Sequence, residues 1–115
     1  MGPRGKSLKQ LLWYLLAGTR GGLNRIRIID ALLERPYNAH QLSEELELDY
    51  RTMRHHLDVL TKNHVLSRPE GTAYGSMYFV SGAMEQYIEV FERIKASVTP
   101  DSGKILAKGN KKVEG

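Results

Sequence analysis

Residues 38–66 read NAHQLSEELELDYRTMRHHLDVLTKNHVL, two short helical patterns on either side of a break. Ala39, Leu42 and Leu46 recur at helical spacing. Met53, His56, Leu57 and Leu60 repeat the pattern at i, i+3, i+4 and i+7. Glu47, Leu48 and Asp49 interrupt the rhythm, and Asp49 is a good N-cap for the segment that follows. The opposite side of that second helix carries Arg51, Arg54, His55, Asp58 and Lys62. One face buries and the other offers guanidinium and imidazole donors. This is the sequence form of a helix-turn-helix.

The geometry points to double-stranded DNA. A major groove admits one α-helix, and side chains near its N-terminus read the base edges. Tyr50, Arg51, Arg54 and His55 lie in the first turn and a half, where base contact is possible. Arginine spans the two acceptors of guanine, which the point charge of lysine does not. Thr52 and Lys62 are better placed for phosphates, which position a protein without specifying sequence. The bland alternative is an ordinary solvated helix face, and the flanking elements weigh against it.

Upstream, Ser7 can cap a helix whose Leu8, Leu11, Leu12, Leu15 and Leu16 form one apolar stripe. Gly18, Thr19, Arg20, Gly21 and Gly22 interrupt it. A phosphate-binding loop would need a Lys-Ser/Thr ending and a preceding strand, so the run reads as a hinge. A second helix follows from about Leu23 to Glu34, with Ile26, Ile29 and Leu33 toward the core, and Pro36 stops it. Tyr37 and Asn38 suit a short strand. Asn38 then caps the next helix, with Gln41 completing a capping box near the entry point where a DNA phosphate would lie.

Downstream, Val65–Arg68 and Met77–Val80 read as two strands around a turn rich in Gly and Ser. A helix-turn-helix followed by a hairpin is a winged helix. Arg68 is the hairpin's fixed cation, and Tyr74 at its tip either touches a sugar or groove edge or packs the turn. Ser81 caps a last helix with Met84, Tyr87, Ile88, Phe91 and Ile94 on one face. The expected fold is mostly α with a small β-hairpin. Residues 1–18 form a tail and apolar helix, 19–81 the winged helix-turn-helix, 82–98 a C-terminal helix and 99–115 a disordered basic tail.

The 115 residues carry a net charge of +4 and no cysteine. That bounds the chain to one small domain without disulfides, thiolate metal sites or a thiol nucleophile. From Thr19 to Ala96 ten basic residues face eleven acidic ones, so the surplus sits in the tails. A nucleic-acid footprint must therefore come from local asymmetry. No run approaches the roughly 20 apolar residues that cross a bilayer, and a soluble, cytoplasmic, nucleoid-associated protein is expected. No carboxylate pair, nucleophile–base arrangement or metal-ligand spacing emerges. No enzyme, cofactor or metal is expected, and a small-molecule effector is not indicated.

RIRIIDALLERPYNAHQLSEELELDYRTMRHHLDVLTKNHVL resembles the ArsR-like winged-helix regulators, particularly their small archaeal members. The match lies at Arg27-Ile28, at Arg35-Pro36 and at Asn38-Ala39 before Gln41-Leu42. It is strongest from Leu48 to Leu57, which looks like the family's recognition helix, and it covers roughly Leu23 to Val80. The resemblance implies a homodimeric transcription regulator whose first and last helices build the interface. That assigns Leu8, Leu11, Leu12, Leu15 and Leu16 with Met84, Tyr87, Ile88, Phe91 and Ile94 to the dimer, the alternative being packing within one subunit. Metal-sensing members carry cysteines at the start of the recognition helix or ligand pairs on the last helix. Neither is present here. Two other readings stay open: a protein-interaction adaptor, favoured by the near-neutral centre, and a sequence-independent chromatin or RNA binder driven by the tails.

Overall fold

Helix α1 (Leu8–Ala17) begins in a full capping box: Ser7 Oγ accepts the N–H of Gln10, and Gln10 Oε1 accepts the N–H of Ser7. The computed structural model that describes it covers residues 7–69 and 76–99. Gly18 closes the helix, its N–H donating to the carbonyls of Trp13 and Tyr14. Helix α2 (Gly22–Glu34) follows at once. The glycine run between them is a packed corner rather than a hinge. A Cβ on Gly22 would lie 2.0 Å from the Leu16 carbonyl oxygen, and one on Gly21 2.6 Å from the His56 ring. Glycine is required at Gly22 because two pieces of backbone nearly touch, and at Gly21 it leaves room for the His56 ring.

Strand β1 (Tyr37–Asn38) leads into α3 (Ala39–Leu46), where Asn38 and Gln41 form the second capping box. The turn of the helix-turn-helix is made by Glu47, left-handed at φ 57°, with the Leu48 N–H bonded back to Ser43 O. Arg27 on α2 donates to the Leu46 carbonyl at 2.7 Å, satisfying one of α3's terminal acceptors. Helix α4 (Tyr50–Lys62) starts at Asp49, whose carboxylate takes both the N–H and the hydroxyl of Thr52.

The hairpin strands are shorter than expected on one side: β2 is Leu66–Ser67, whereas β3 is Met77–Val80. Val65 belongs to the exit of α4 instead, its N–H bonded to Leu60 O beyond the left-handed His64 at φ 66°. The sheet order is β1-β3-β2, all antiparallel, with Tyr37 opposite Tyr78 and Leu66 opposite Val80. Ser81 clips the hairpin to the helical body. Its hydroxyl donates to His64 O and accepts the N–H of Met84. The last helix opens as a 3-10 turn (Ala83–Tyr87) before α5 (Ile88–Val98).

One hydrophobic cluster draws on all these elements, with Leu12, Leu16, Ile28, Ile29, Leu42, Met53, Leu57, Leu60, Phe91 and Ile94 at its centre. The end helices, read as separate units at 1–18 and 82–98, thus share the core of the winged helix. Most of the two apolar stripes assigned to the dimer is packed within this one chain. Leu12, Leu15, Leu16, Met84, Phe91 and Ile94 are at most 5% exposed, already covered by their own chain. Leu8, Leu11, Tyr87 and Ile88 are half-buried, and the large apolar groups that α1 leaves outside are Trp13 and Tyr14, 38% and 60% exposed. Lys95 on α5 reaches both carboxylate oxygens of Asp30 on α2 at 3.0–3.1 Å, locking the last helix in place.

Candidate nucleic-acid interface

Helix α4 divides as its residue pattern requires. Met53, His56, Leu57 and Leu60 are buried, and Arg51, His55, Asp58 and Lys62 form an exposed row at spacings of four, three and four. Tyr50 and Arg54 on one flank and Thr52 on the other lie between the two faces and are partly buried. Thr52 is absorbed by the Asp49 cap, which turns its hydroxyl to local structure. That cap holds the Asp49 carboxyl below its ordinary pKa, chiefly through the Thr52 N–H and then the Thr52 hydroxyl. Gln41 is exposed on the first turn of α3, but its Oε1 is committed to the Asn38 N–H at 2.9 Å. Its NH₂ end is what remains to offer a phosphate.

Arg54 does not extend freely. Its Nη1 donates to Tyr50 Oη at 3.3 Å, its Nη2 lies 3.8 Å from Asp58, and its Nε is buried without a hydrogen-bond partner among the described residues. On the sheet, Arg68 donates to Tyr78 Oη at 3.2 Å and stands over that ring. Arg54 and Arg68 line one cleft of about 80 Å³, together with Asn38, Ala39, His40, Tyr50, Ser76 and Tyr78. His40 packs edge-on against Tyr50 with ring centroids 5.7 Å apart. Sequence reading missed His40, Ser76 and Tyr78. Two-residue alternation carried one residue ahead of β3 would put 76 on the face of 78, a usable signal, whereas nothing local marks His40. Tyr74 lies outside the described residues, as do residues 1–6 and 100–115 of the basic tails.

Behind the exposed face of α4 is a second polar cluster that periodicity reads as core. Arg25 is 6% exposed and donates through Nε to Leu15 O at 3.1 Å, through Nη2 to Thr19 Oγ1 at 2.6 Å, and meets His56 Nδ1 at 3.2 Å. A guanidinium has no acceptor, so Nδ1 accepts and His56 is neutral with its proton on Nε2. Burial, then Arg25, then His55 push the His56 pKa down, and burial lowers that of Arg25. The cluster ties α1 and the glycine corner to the underside of α4.

A helix-turn-helix carried on a three-stranded sheet with a β2–β3 hairpin is a winged helix, and this chain has that fold. Residues 24–64 match the family described as bacterial regulatory protein, arsR family. Among solved structures the chain is similar to the transcriptional regulator HlyU from Vibrio vulnificus CMCP6. The two share 17% identity at a TM-score of 0.55, over 86% of this chain and 94% of that one. No curated protein matches the sequence. Among the described residues no group of three or more His, Asp or Glu gathers as metal ligands, and no helix is long and apolar enough to cross a membrane.

Proposed function

We propose that this protein is a sequence-specific, double-stranded DNA-binding transcription regulator acting as a homodimer, with α4 in the major groove. The observation that carries this reading is the exposed row of Arg51, His55 and Lys62 on the second helix of the helix-turn-helix. The arsR-family match over the same segment supports it. Arg51 and His55 read base edges, Lys62 and Gln41 hold phosphates, and Arg68 adds a contact from the hairpin. A second copy is joined through the outer side of α1, where Trp13 and Tyr14 remain exposed. Two recognition helices about 34–36 Å apart then enter successive major grooves of an inverted repeat.

The test is selection of fragmented genomic DNA by the purified protein at about 150 mM salt, where exposed charges are screened within about 8 Å. Enrichment of a few fragments sharing an inverted repeat is the expected result. Retention of every fragment would favour the sequence-independent binder, and retention of none the protein adaptor. Sedimentation of the protein, alone and as Trp13→Glu, reads the dimer directly.

A further inference from the structure

The cleft between α3, α4 and the sheet contains two arginines and a histidine, and none of the residues lining it is acidic. In a central region of balanced charge this is a local concentration of positive potential. Arg54 Nε and Ser76 Oγ are both buried with no hydrogen-bond partner among the described residues. A buried donor left unsatisfied is unfavourable, and such groups are uncommon in folded proteins. The α3 cap takes the N–H of Gln41, and the first two residues of that helix, Ala39 and His40, line the same cleft, at the end of a helix that favours anions. The volume of about 80 Å³ is far below the roughly 300–1,000 Å³ of small-molecule pockets, so a single tetrahedral oxyanion fits the scale and a nucleoside does not.

We propose that this cleft seats one phosphodiester group of the DNA backbone, clamped by Arg54 from α4 and by Arg68 from the sheet, with Ser76 donating between them. The proposal rests on the DNA-binding reading and adds a role for Arg54, which fixes the docking register instead of making the base contact its place in the helix suggests. The paired arrangements Arg54–Tyr50 and Arg68–Tyr78 hold both forks in place before DNA arrives. Specificity then falls to Arg51 and His55, and the angle between hairpin and recognition helix is fixed by a ligand they share.

The experiment measures binding of the full chain to a panel of duplexes across a salt series, for wild type, Arg54→Gln, Arg68→Gln, the double variant and Arg54→Lys. Each Gln variant is expected to weaken every duplex by the same factor and to flatten the slope of log affinity against log salt in part, with the double variant reaching the change of about 0.9 that one lost phosphate gives. The double loss should fall short of the product of the single losses, because both arginines act through one anion. Arg54→Lys, which keeps the charge, should recover the slope. A changed ranking of sequences in Arg54→Gln with the salt slope intact would overturn the clamp and return Arg54 to base reading. Strictly multiplicative losses would overturn the shared phosphate. If the wild type binds no duplex, the regulator reading fails, and inorganic phosphate followed by the amide resonances of His40, Ser76 and Tyr78 then decides separately. Saturable shifts absent with chloride at equal ionic strength would leave an anion seat but overturn DNA as its source. No shifts would overturn the seat itself.

Discussion

The neutral His56 on the buried side of α4 makes stability depend on pH with a defined sign. Its Nδ1 faces a guanidinium at 3.2 Å, so a proton there would bring two donors and two positive charges together. At about 4 Å, and with an effective dielectric constant of about 20, that repulsion is on the order of 4 kcal/mol. The folded-state pKa therefore lies below the ordinary value, with burial the largest cause and Arg25 the next. The unfolded chain takes up the proton first as pH falls, near 6.5, and stability then declines until the folded state protonates as well. Between pH 7.5 and 5.5 one such proton removes at most about 1.4 kcal/mol. In urea melts this is a midpoint shift of about 0.5–1 M at unchanged m. His56→Asn keeps an acceptor opposite Arg25 and removes the titration. The difference between wild-type and His56→Asn stability should therefore slope with pH across that window. A flat difference, or one favouring the wild type at low pH, would refute the neutral, accepting histidine.

Other perturbations follow from individual contacts. Arg51→Ala should weaken the preferred duplex by about 1–3 kcal/mol and relax selectivity at one base position, read by competition binding; an equal loss on all sequences would make Arg51 a phosphate contact. Phe91→Ala empties a fully buried site shared by α5 and the core and should lower unfolding free energy by about 3–5 kcal/mol in denaturant melts. Gly22→Ala places a methyl against the Leu16 carbonyl and should prevent the α1–α2 corner from closing, seen as loss of the cooperative thermal transition. Glu47→Gly relieves a left-handed residue at φ 57° and should raise stability by about 0.5–1 kcal/mol, less the added freedom of the unfolded chain.

Local chemistry carries much of the fold. The caps at Ser7, Asn38 and Asp49, the stop at Pro36 and the apolar spacing of α4 each act within a few residues, so the order of elements is legible without a structure. The two-faced character of α4 is equally local, and the exposure of Arg51, His55 and Lys62 follows from it. Contacts between distant segments are a different matter. Periodicity says that Leu12, Leu16, Phe91 and Ile94 will be buried, but not whether their own chain or a second copy covers them, since either removes the same apolar area from water. The pairing of Arg25 with His56, 31 positions apart, has no mark in the pattern, because each reads there as one position among several on its helix. The cleft is of the same kind. Its donors come from α3, α4 and the two residues that flank the hairpin strands, and only packing brings Arg54, Arg68 and Ser76 to one place.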